Sequence, residues 1–107
     1  MIPLSDFEKV QLMVAKILSV EDIPKRDKLY KIIVDLGNEK RQLVSGLKGF
    51  YSKEELVGKK IIIAANLEFA KFSGIESQGM LLAAKNMDGK YMVIEADESI
   101  PEGTIVE

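Results

Sequence analysis

The segment NLEFAKFSGIESQGMLLAA, residues 66–84, places polar and apolar side chains suited to nucleic-acid binding between two of the most apolar runs of the chain. Lys71 can put a positive charge on a phosphate, and Ser73 and Ser77 can donate hydrogen bonds to a phosphate or a ribose hydroxyl. Met80 can offer an apolar surface to an unstacked base. Each residue alone is equally an ordinary loop lysine, turn serine or core methionine, so the interpretation depends on their occurring together.

Cysteine and histidine are both absent from the chain. Their absence excludes zinc sites built from those ligands, thiol nucleophiles and catalytic groups that use imidazole as a base. The carboxylates are spread among lysines, and no pair is placed for acid–base work. We therefore expect a binding module that is not an enzyme and has no metal or cofactor, although a Mg²⁺ site made of carboxylates alone stays open.

The length of 107 residues suits one domain, residues 1–107. No stretch is apolar for the roughly 18 residues that a membrane span needs, and the first residues do not follow the pattern of a secretory signal. With no cysteine to indicate an oxidising compartment, we expect a cytoplasmic protein without a membrane partner.

The net charge of −2 is unevenly distributed along the chain. Residues 94–107 contain five acidic residues and no basic ones, so residues 1–93 carry a net charge of +3. The sequence therefore combines an acidic tail with a mildly basic body. An ordinary solvated surface would explain this distribution equally well.

The first half of the chain predicts three consecutive antiparallel strands. The run KVQLMVAKILSVEDI is long for one strand, with an inward set Val10, Leu12 and Val14 that requires a bulge or bend near Ala15–Ile17. The alternation in LYKIIVDL puts Tyr30, Ile32, Val34 and Leu36 on one face, and Gly37-Asn38 turns the chain into KRQLVSGL.

A helix and two further strands follow. Ser52 and Glu55 have the spacing of a capping box, which predicts a short helix, and the apolar runs around KKIIIAANL and GMLLAAK predict strands. Residues 87–90 form a hairpin turn into YMVIEA, and a second capping box at Ser5 and Glu8 predicts a helical turn near the N-terminus.

This order predicts an all-β fold: a five-stranded Greek-key OB-fold barrel with a short helix between strands 3 and 4 and short N- and C-terminal extensions. A β-sandwich is the competing architecture, but it usually needs seven strands. In the barrel, Lys28, Lys31 and Arg41 face outward on strands 2 and 3, where OB folds commonly bind ligands. Lys25 and Arg26 could extend this basic edge, although lysines facing water on strands also prevent aggregation.

The blocks DFEKVQLMVAKI, DKLYKIIVDLG, KRQLVSGLKGFY, LVGKKIIIAANL and AKFSGIESQGMLLAA resemble, in type and order, the tRNA-binding domain family over about Asp6 to Val106. Members of that family occur at the C-terminus of methionyl-tRNA synthetases, as separate synthetase subunits and as free-standing dimers. The resemblance implies tRNA as a partner, a homodimer and a methionyl-tRNA synthetase catalytic chain as a further partner. It associates the positions of Asn66, Lys71, Ser77 and Met80 with tRNA binding. Asn66 could instead cap its strand end, and Ser73 stands where members commonly have a basic residue.

Apolar residues outside the barrel pattern are the candidates for a dimer interface. If they do not pack on their own barrel, a second copy would bury them. These residues are Ile2, Pro3, Leu4, Phe7, Ile100, Pro101 and Ile105.

The predicted function is tRNA binding that follows the shape of the folded RNA with little sequence preference, as the dimerising module of methionyl-tRNA synthetase. One alternative is a dimeric chaperone-like protein of the same fold that presents Phe69 and Phe72 to unfolded peptides. Another is a purely structural dimerisation domain. Salt separates the first two, since RNA binding weakens with ionic strength and apolar binding does not.

Overall fold

The computed structural model describes residues 1–107 and confirms the all-β prediction. Neither of its two helices, four residues each, is long and apolar enough to cross a membrane. The elements are α1 (Leu4–Phe7), β1 (Leu12–Ile23), β2 (Arg26–Asp35), β3 (Lys40–Ser45), α2 (Lys53–Leu56), β4 (Lys60–Ala64), β5 (Ala70–Phe72), β6 (Ile75–Ser77), β7 (Met80–Leu81), β8 (Ala83–Lys85), β9 (Tyr91–Val93) and β10 (Ile105–Val106).

The main sheet is antiparallel with the strand order β3-β2-β1-β4-β7, and β10 adds to β1. This is the order expected of an OB-like fold. The alternation predicted for β2 is confirmed, because Tyr30, Ile32, Val34 and the following Leu36 are all buried. Their side chains form the core with Ile61 and Ile63 of β4, a strand buried along its whole length.

The long strand β1 pairs with β4 and with β2 along its length, in addition to β10. Its first half pairs with β4, from Leu12 opposite Ala64 to Lys16 opposite Lys60, and its second half pairs with β2. The predicted irregularity is confirmed as a register shift between Ile17 and Ser19. The predicted inward set is wrong except that Val14 is buried: Val10 precedes the strand and is 38% exposed, and Leu12 is half-buried. The core contains the alternate residues Ala15 and Ile17, with Met13 packed against them.

The β3 edge of the main sheet is joined to the segment before β7 by individual hydrogen bonds, without a regular ladder. The Gln78 backbone N–H donates to the Gln42 carbonyl at 2.8 Å, and the Gln42 backbone N–H donates to the Gln78 side-chain oxygen at 3.0 Å. The Val44 backbone N–H donates to the Ser77 hydroxyl at 3.0 Å. These bonds join β3 to the segment just before β7, where an OB barrel closes.

Each of the two helices lies at one of the two predicted capping boxes. In α2 the Glu55 N–H donates to the Ser52 hydroxyl and the Glu55 carboxylate accepts from the Ser52 N–H, so that prediction is confirmed. The box at Ser5 and Glu8 is wrong, although the helical turn exists. Helix α1 begins two residues earlier than predicted, with Pro3 in place of Ser5 at its N-cap, so Ser5 lies inside the helix and caps nothing.

The C-terminal segment runs back along the barrel and is fixed at two points. Its strand β10 pairs with the start of β1, and the buried Lys60 donates to the carbonyls of Glu98 at 2.6 Å and Ile100 at 2.7 Å. Gly103 has φ +87°, and a Cβ there would lie 2.2 Å from the Leu36 carbonyl oxygen. Only glycine therefore allows the segment to pass this close to the end of β2.

Candidate nucleic-acid interface

The segment that connects β4 to β7 is a small hairpin, which the sequence analysis treated as a loop. Strands β5 and β6 pair antiparallel, and Ser73 and Gly74 at the tip have φ of 54° and 79°. We call residues 70–77 the rim hairpin. Lys71 is exposed, lies opposite Glu76 in the register and forms no salt bridge. Ser73 is exposed at the tip, where two positive φ values reverse the chain.

The base of the rim hairpin is fixed by Ser77, one of the four positions associated with tRNA binding. Ser77 is only 5% exposed. Its hydroxyl accepts from the Val44 N–H at 3.0 Å and donates to the Gly79 carbonyl at 3.0 Å. Both hydrogen-bonding functions of the hydroxyl are therefore used inside the chain.

Arg41 fixes the other side of the same connection. Its guanidinium group donates to the carbonyls of Ala65 and, at 3.2 Å, Gln78. It also pairs with Glu39 at 2.9 Å and lies 6.0 Å from the centre of the Phe69 ring. Since the Arg41 side chain is only 20% exposed, most of its hydrogen-bonding capacity is directed inward.

Asn66 lies at the end of β4 but faces the N-terminal segment. Its side-chain oxygen accepts from the Gln11 N–H at 2.7 Å, and its side-chain nitrogen donates to the Lys9 carbonyl at 2.7 Å. The strand-end role that the sequence analysis left open is thus observed.

Met80 presents the apolar surface predicted for it. It begins β7, is 53% exposed and lines a groove of about 190 Å³ together with Leu67 and Phe72, above Ser77 and Gly79. We call this the rim groove. Phe72 is 45% exposed and follows Lys71 directly on β5. Ala70 and Phe72 line the groove, whereas Lys71 between them does not, because successive side chains of a strand point to opposite faces.

The three predicted cations of strands 2 and 3 have different surroundings. Arg41 is held as described above, and the Lys31 ammonium group lies 3.5 Å from a carboxylate oxygen of Glu21. Lys28 is exposed and forms no salt bridge, like its neighbours Lys25 and Arg26. The three side chains at the β1–β2 turn are therefore the free cations of this face.

Asp22 pairs with two other lysines nearby. Its carboxylate accepts from Lys53 at 2.6 Å and from Lys48 at 2.9 Å. These hydrogen bonds lower the pKa of Asp22 below its ordinary value, and the bond from Lys53 has the larger effect. Cations without a salt bridge thus remain at Lys16, Lys25, Arg26, Lys28, Lys40, Lys71, Lys85 and Lys90.

Four of the predicted dimer residues are exposed apolar side chains: Ile2 before α1, Leu4 and Phe7 on α1, and Ile105 on β10. Ile2 is 69%, Leu4 71%, Phe7 44% and Ile105 51% exposed. We call these four residues the terminal apolar surface; all but Ile2 line a groove of about 520 Å³ that Asn66 also lines.

The other three predicted dimer residues are placed differently. Pro3 is the exposed N-cap of α1. Ile100 and Pro101 lie on the segment that Lys60 holds and do not line this groove.

A family model described as "Putative tRNA binding domain" matches residues 12–105. The chain belongs to the tRNA-binding domain family. This family is defined by binding and not by a reaction, so the chain is a non-catalytic binding module.

Sequence relatives connect this tRNA-binding domain to a synthetase. The chain is 54% identical over 104 residues to the methionine–tRNA ligase of Methanococcus vannielii, covering 97% of this chain and 16% of the ligase. It therefore spans only about a sixth of the length of such relatives.

Two solved structures share the fold. A MetRS related protein from Pyrococcus horikoshii has 43% sequence identity and a TM-score of 0.95, and the match covers 100% of this chain and 98% of that one. The CsaA chaperone protein from Picrophilus torridus has 25% identity and a TM-score of 0.90, with full coverage of both chains. The same tRNA-binding domain fold thus occurs in a synthetase-related protein and in a chaperone.

Proposed function

We propose that this domain binds tRNA through the rim hairpin and the neighbouring cations. The observation that carries this proposal is Lys71, an exposed cation without a salt bridge, on a hairpin whose base is fixed and whose other face borders the rim groove. A phosphate meets Lys71 on one face of the hairpin, and an unstacked base meets the groove on the other. Because the base of the hairpin is fixed within the fold, little ordering is needed on binding.

The predicted site residues have two kinds of role in this proposal. Lys71, Ser73, Met80 and Lys28 contact the RNA. Ser77 and Arg41, whose polar groups are engaged within the chain, position the rim hairpin, and Lys31 adds charge beside Glu21.

Recognition follows the shape of the folded RNA and not its sequence. The candidate contacts are a flexible ammonium group, a hydroxyl and apolar side chains, and none offers the bidentate pattern that reads a base edge. Contacts of this kind suit phosphates, ribose hydroxyls and one or two unstacked bases.

The proposal includes a homodimer that buries the terminal apolar surface. Ile2, Leu4, Phe7 and Ile105 are exposed in a single copy, and Leu4, Phe7 and Ile105 line one groove; apolar surface of this kind marks an interface. A symmetric pair would present two rim hairpins to the same or to different RNA molecules.

We further propose that residues 1–107 act as one domain that serves a methionyl-tRNA synthetase. The sequence relatives support this link, since methionine–tRNA ligases contain the matching region. A domain joined to the catalytic chain raises the effective concentration of tRNA there without any new contact to the reaction.

The test is a titration with unfractionated tRNA at two salt concentrations. Lys71→Ala is expected to weaken binding severalfold and to flatten the salt dependence, without changing the unfolding midpoint. Lys90→Ala, which removes the same charge from a different hairpin, is the matched control and should matter less. Ser77→Ala is expected to lower stability as well, because the buried Val44 N–H loses its acceptor. Equal binding by wild type and Lys71→Ala would refute the role of the rim hairpin.

A chaperone-like function is the second candidate, favoured by one observation. Phe69 is 53% and Phe72 45% exposed on the same connection, and the fold is shared with a CsaA chaperone. An unfolded peptide would bind such side chains, and its binding would persist or strengthen with salt. If tRNA does not bind and an apolar peptide does, this function replaces the first. If neither binds, a purely structural dimerisation role remains.

A further inference from the structure

We propose that a second groove, centred on Tyr91, binds an unpaired nucleotide segment of RNA. This inference rests on the proposed tRNA function and extends it, because it predicts a preference for RNA that carries single-stranded nucleotides. The groove has a volume of about 680 Å³. Its residues other than Met80 lie outside the predicted site.

The groove opens where the sheet is interrupted. Strand β3 ends at Ser45, Gly46 has no side chain to fill the space beyond it, and the opposite strand is broken at Leu82 between β7 and β8. The apolar walls come mainly from Leu47, Met80, Leu82, Tyr91 and Ile94. No charged residue lines the groove, so its interior suits a flat apolar group such as a nucleobase.

Tyr91 is the aromatic side chain available for stacking. It is 41% exposed, and its ring is supported edge-on by Phe50 at a centroid distance of 5.7 Å and an interplanar angle of 67°. The other two tyrosines are engaged internally, since the Tyr30 hydroxyl donates to the Tyr51 carbonyl and the Tyr51 hydroxyl accepts from the Val93 N–H. The Tyr91 hydroxyl forms no hydrogen bond within the chain.

A cation at the groove favours a nucleic acid over a peptide. The Lys85 ammonium group lies 5.7 Å from the centre of the Tyr91 ring, and Lys85 has no salt bridge. An apolar floor with an unpaired cation beside its aromatic ring is an arrangement that binds a base and a phosphate together.

Met80 connects this groove to the rim hairpin. It lines both the Tyr91 groove and the rim groove that Phe72 shares. A strand of RNA that places one base against Tyr91 can therefore continue over Met80 into the rim groove. The two grooves together form one apolar path, with Lys85 beside its Tyr91 end and the rim hairpin of Lys71 at its other end.

The experiment compares a blunt RNA hairpin with the same hairpin bearing a short single-stranded extension. Wild-type protein is expected to bind the extended RNA more tightly, and the extension is expected to quench tyrosine fluorescence, since the chain has no tryptophan. Tyr91→Ala should remove the difference, weakening the extended RNA about fivefold to 150-fold while the blunt hairpin binds as before.

Three further variants separate stacking from folding and charge. Tyr91→Phe keeps the ring and should keep the preference. Lys85→Gln should reduce it, whereas Lys90→Gln on the same hairpin should not. Unfolding curves must show that Tyr91→Ala is folded. If it is not, the proposal is judged by comparing the preference for the extended hairpin between Lys85→Gln and Lys90→Gln.

The other possible results refute either the Tyr91 groove alone or the proposed function as well. If wild-type protein binds tRNA but does not prefer the extended hairpin, the Tyr91 groove is refuted and the proposed function stands. If it binds no RNA, both fail. If an apolar peptide quenches Tyr91 fluorescence independently of salt and displaces the extension, the groove is a peptide site and the inference is overturned.

Discussion

Replacing Lys60 with methionine would test how the C-terminal segment is held on the barrel. The Lys60 side chain is only 10% exposed, and its ammonium group donates to the carbonyls of Glu98 and Ile100 and lies 3.5 Å from the Glu102 carboxylate. Methionine keeps an apolar chain of similar length in the same space but removes all three interactions. The substitution therefore isolates the charge and its hydrogen bonds from the packing.

The expected loss follows from the number of bonds and their exposure. A hydrogen bond to a charged group contributes about 1.5–3 kcal/mol, but the carbonyls of Glu98 and Ile100 and the Glu102 carboxylate are close enough to solvent for water to replace part of this. We expect the free energy of unfolding to fall by about 2 kcal/mol in total, which corresponds to a decrease of about 1–2 M in the urea midpoint.

Lys59→Met is the matched control for this measurement. Lys59 is the preceding residue and pairs with Glu95 at 3.2 Å on the surface, where an ion pair contributes at most about 1 kcal/mol. Both variants lose one positive charge, so a general effect of charge would appear equally in both. Because dimerisation makes stability depend on concentration, all proteins are compared at one concentration. Equal losses in the two variants would refute the role assigned to Lys60.

Two further predictions concern acid stability and assembly. Since hydrogen bonds from Lys53 and Lys48 lower the pKa of Asp22, its contribution to stability is present above the ordinary value of 3.8 and is lost as the pH falls through the lower folded value. Unfolding of wild type and Asp22→Asn across this range should show a stability difference that shrinks on acidification, and a constant difference would contradict it. Leu4→Glu is expected to convert the proposed dimer to a monomer in sedimentation experiments, whereas Met87→Glu, at an even more exposed apolar position, should not; a monomeric wild type would refute the dimer.

The regular parts of the fold were predictable because their patterns are local. The alternation in β2, the turn at Gly37 and the capping box of Ser52 and Glu55 each depend on neighbouring residues, and each is confirmed. The start of α1 was misassigned because Ser5 and Glu8 fit a capping box equally well in sequence, while Pro3 already provides the helix entry.

The long-range contacts could not be predicted in the same way. The contact between β3 and the segment before β7 depends on Gln42 and Gln78. These two polar residues lie 36 positions apart, and their types suggest only an exposed surface. Lys60 likewise gave no sign of burial, because a lysine at a strand start is usually solvated. The rim hairpin had one local signal, Ser73-Gly74 between short apolar stretches, which the sequence analysis did not use.

The placement of Asn66 links the two proposed surfaces of the molecule. Its amide holds the backbone of Lys9 and Gln11 beside the terminal apolar surface, while the next residue, Leu67, already lines the rim groove. An Asn66 variant would therefore disturb the N-terminal segment and the first residue of the connection at once. An effect of such a variant on tRNA binding would be explained by position, without any contact between the Asn66 amide and RNA. Lys71 has no such double role, since its side chain forms no bond within the chain, and for that reason it is the residue on which the RNA-binding proposal should be judged.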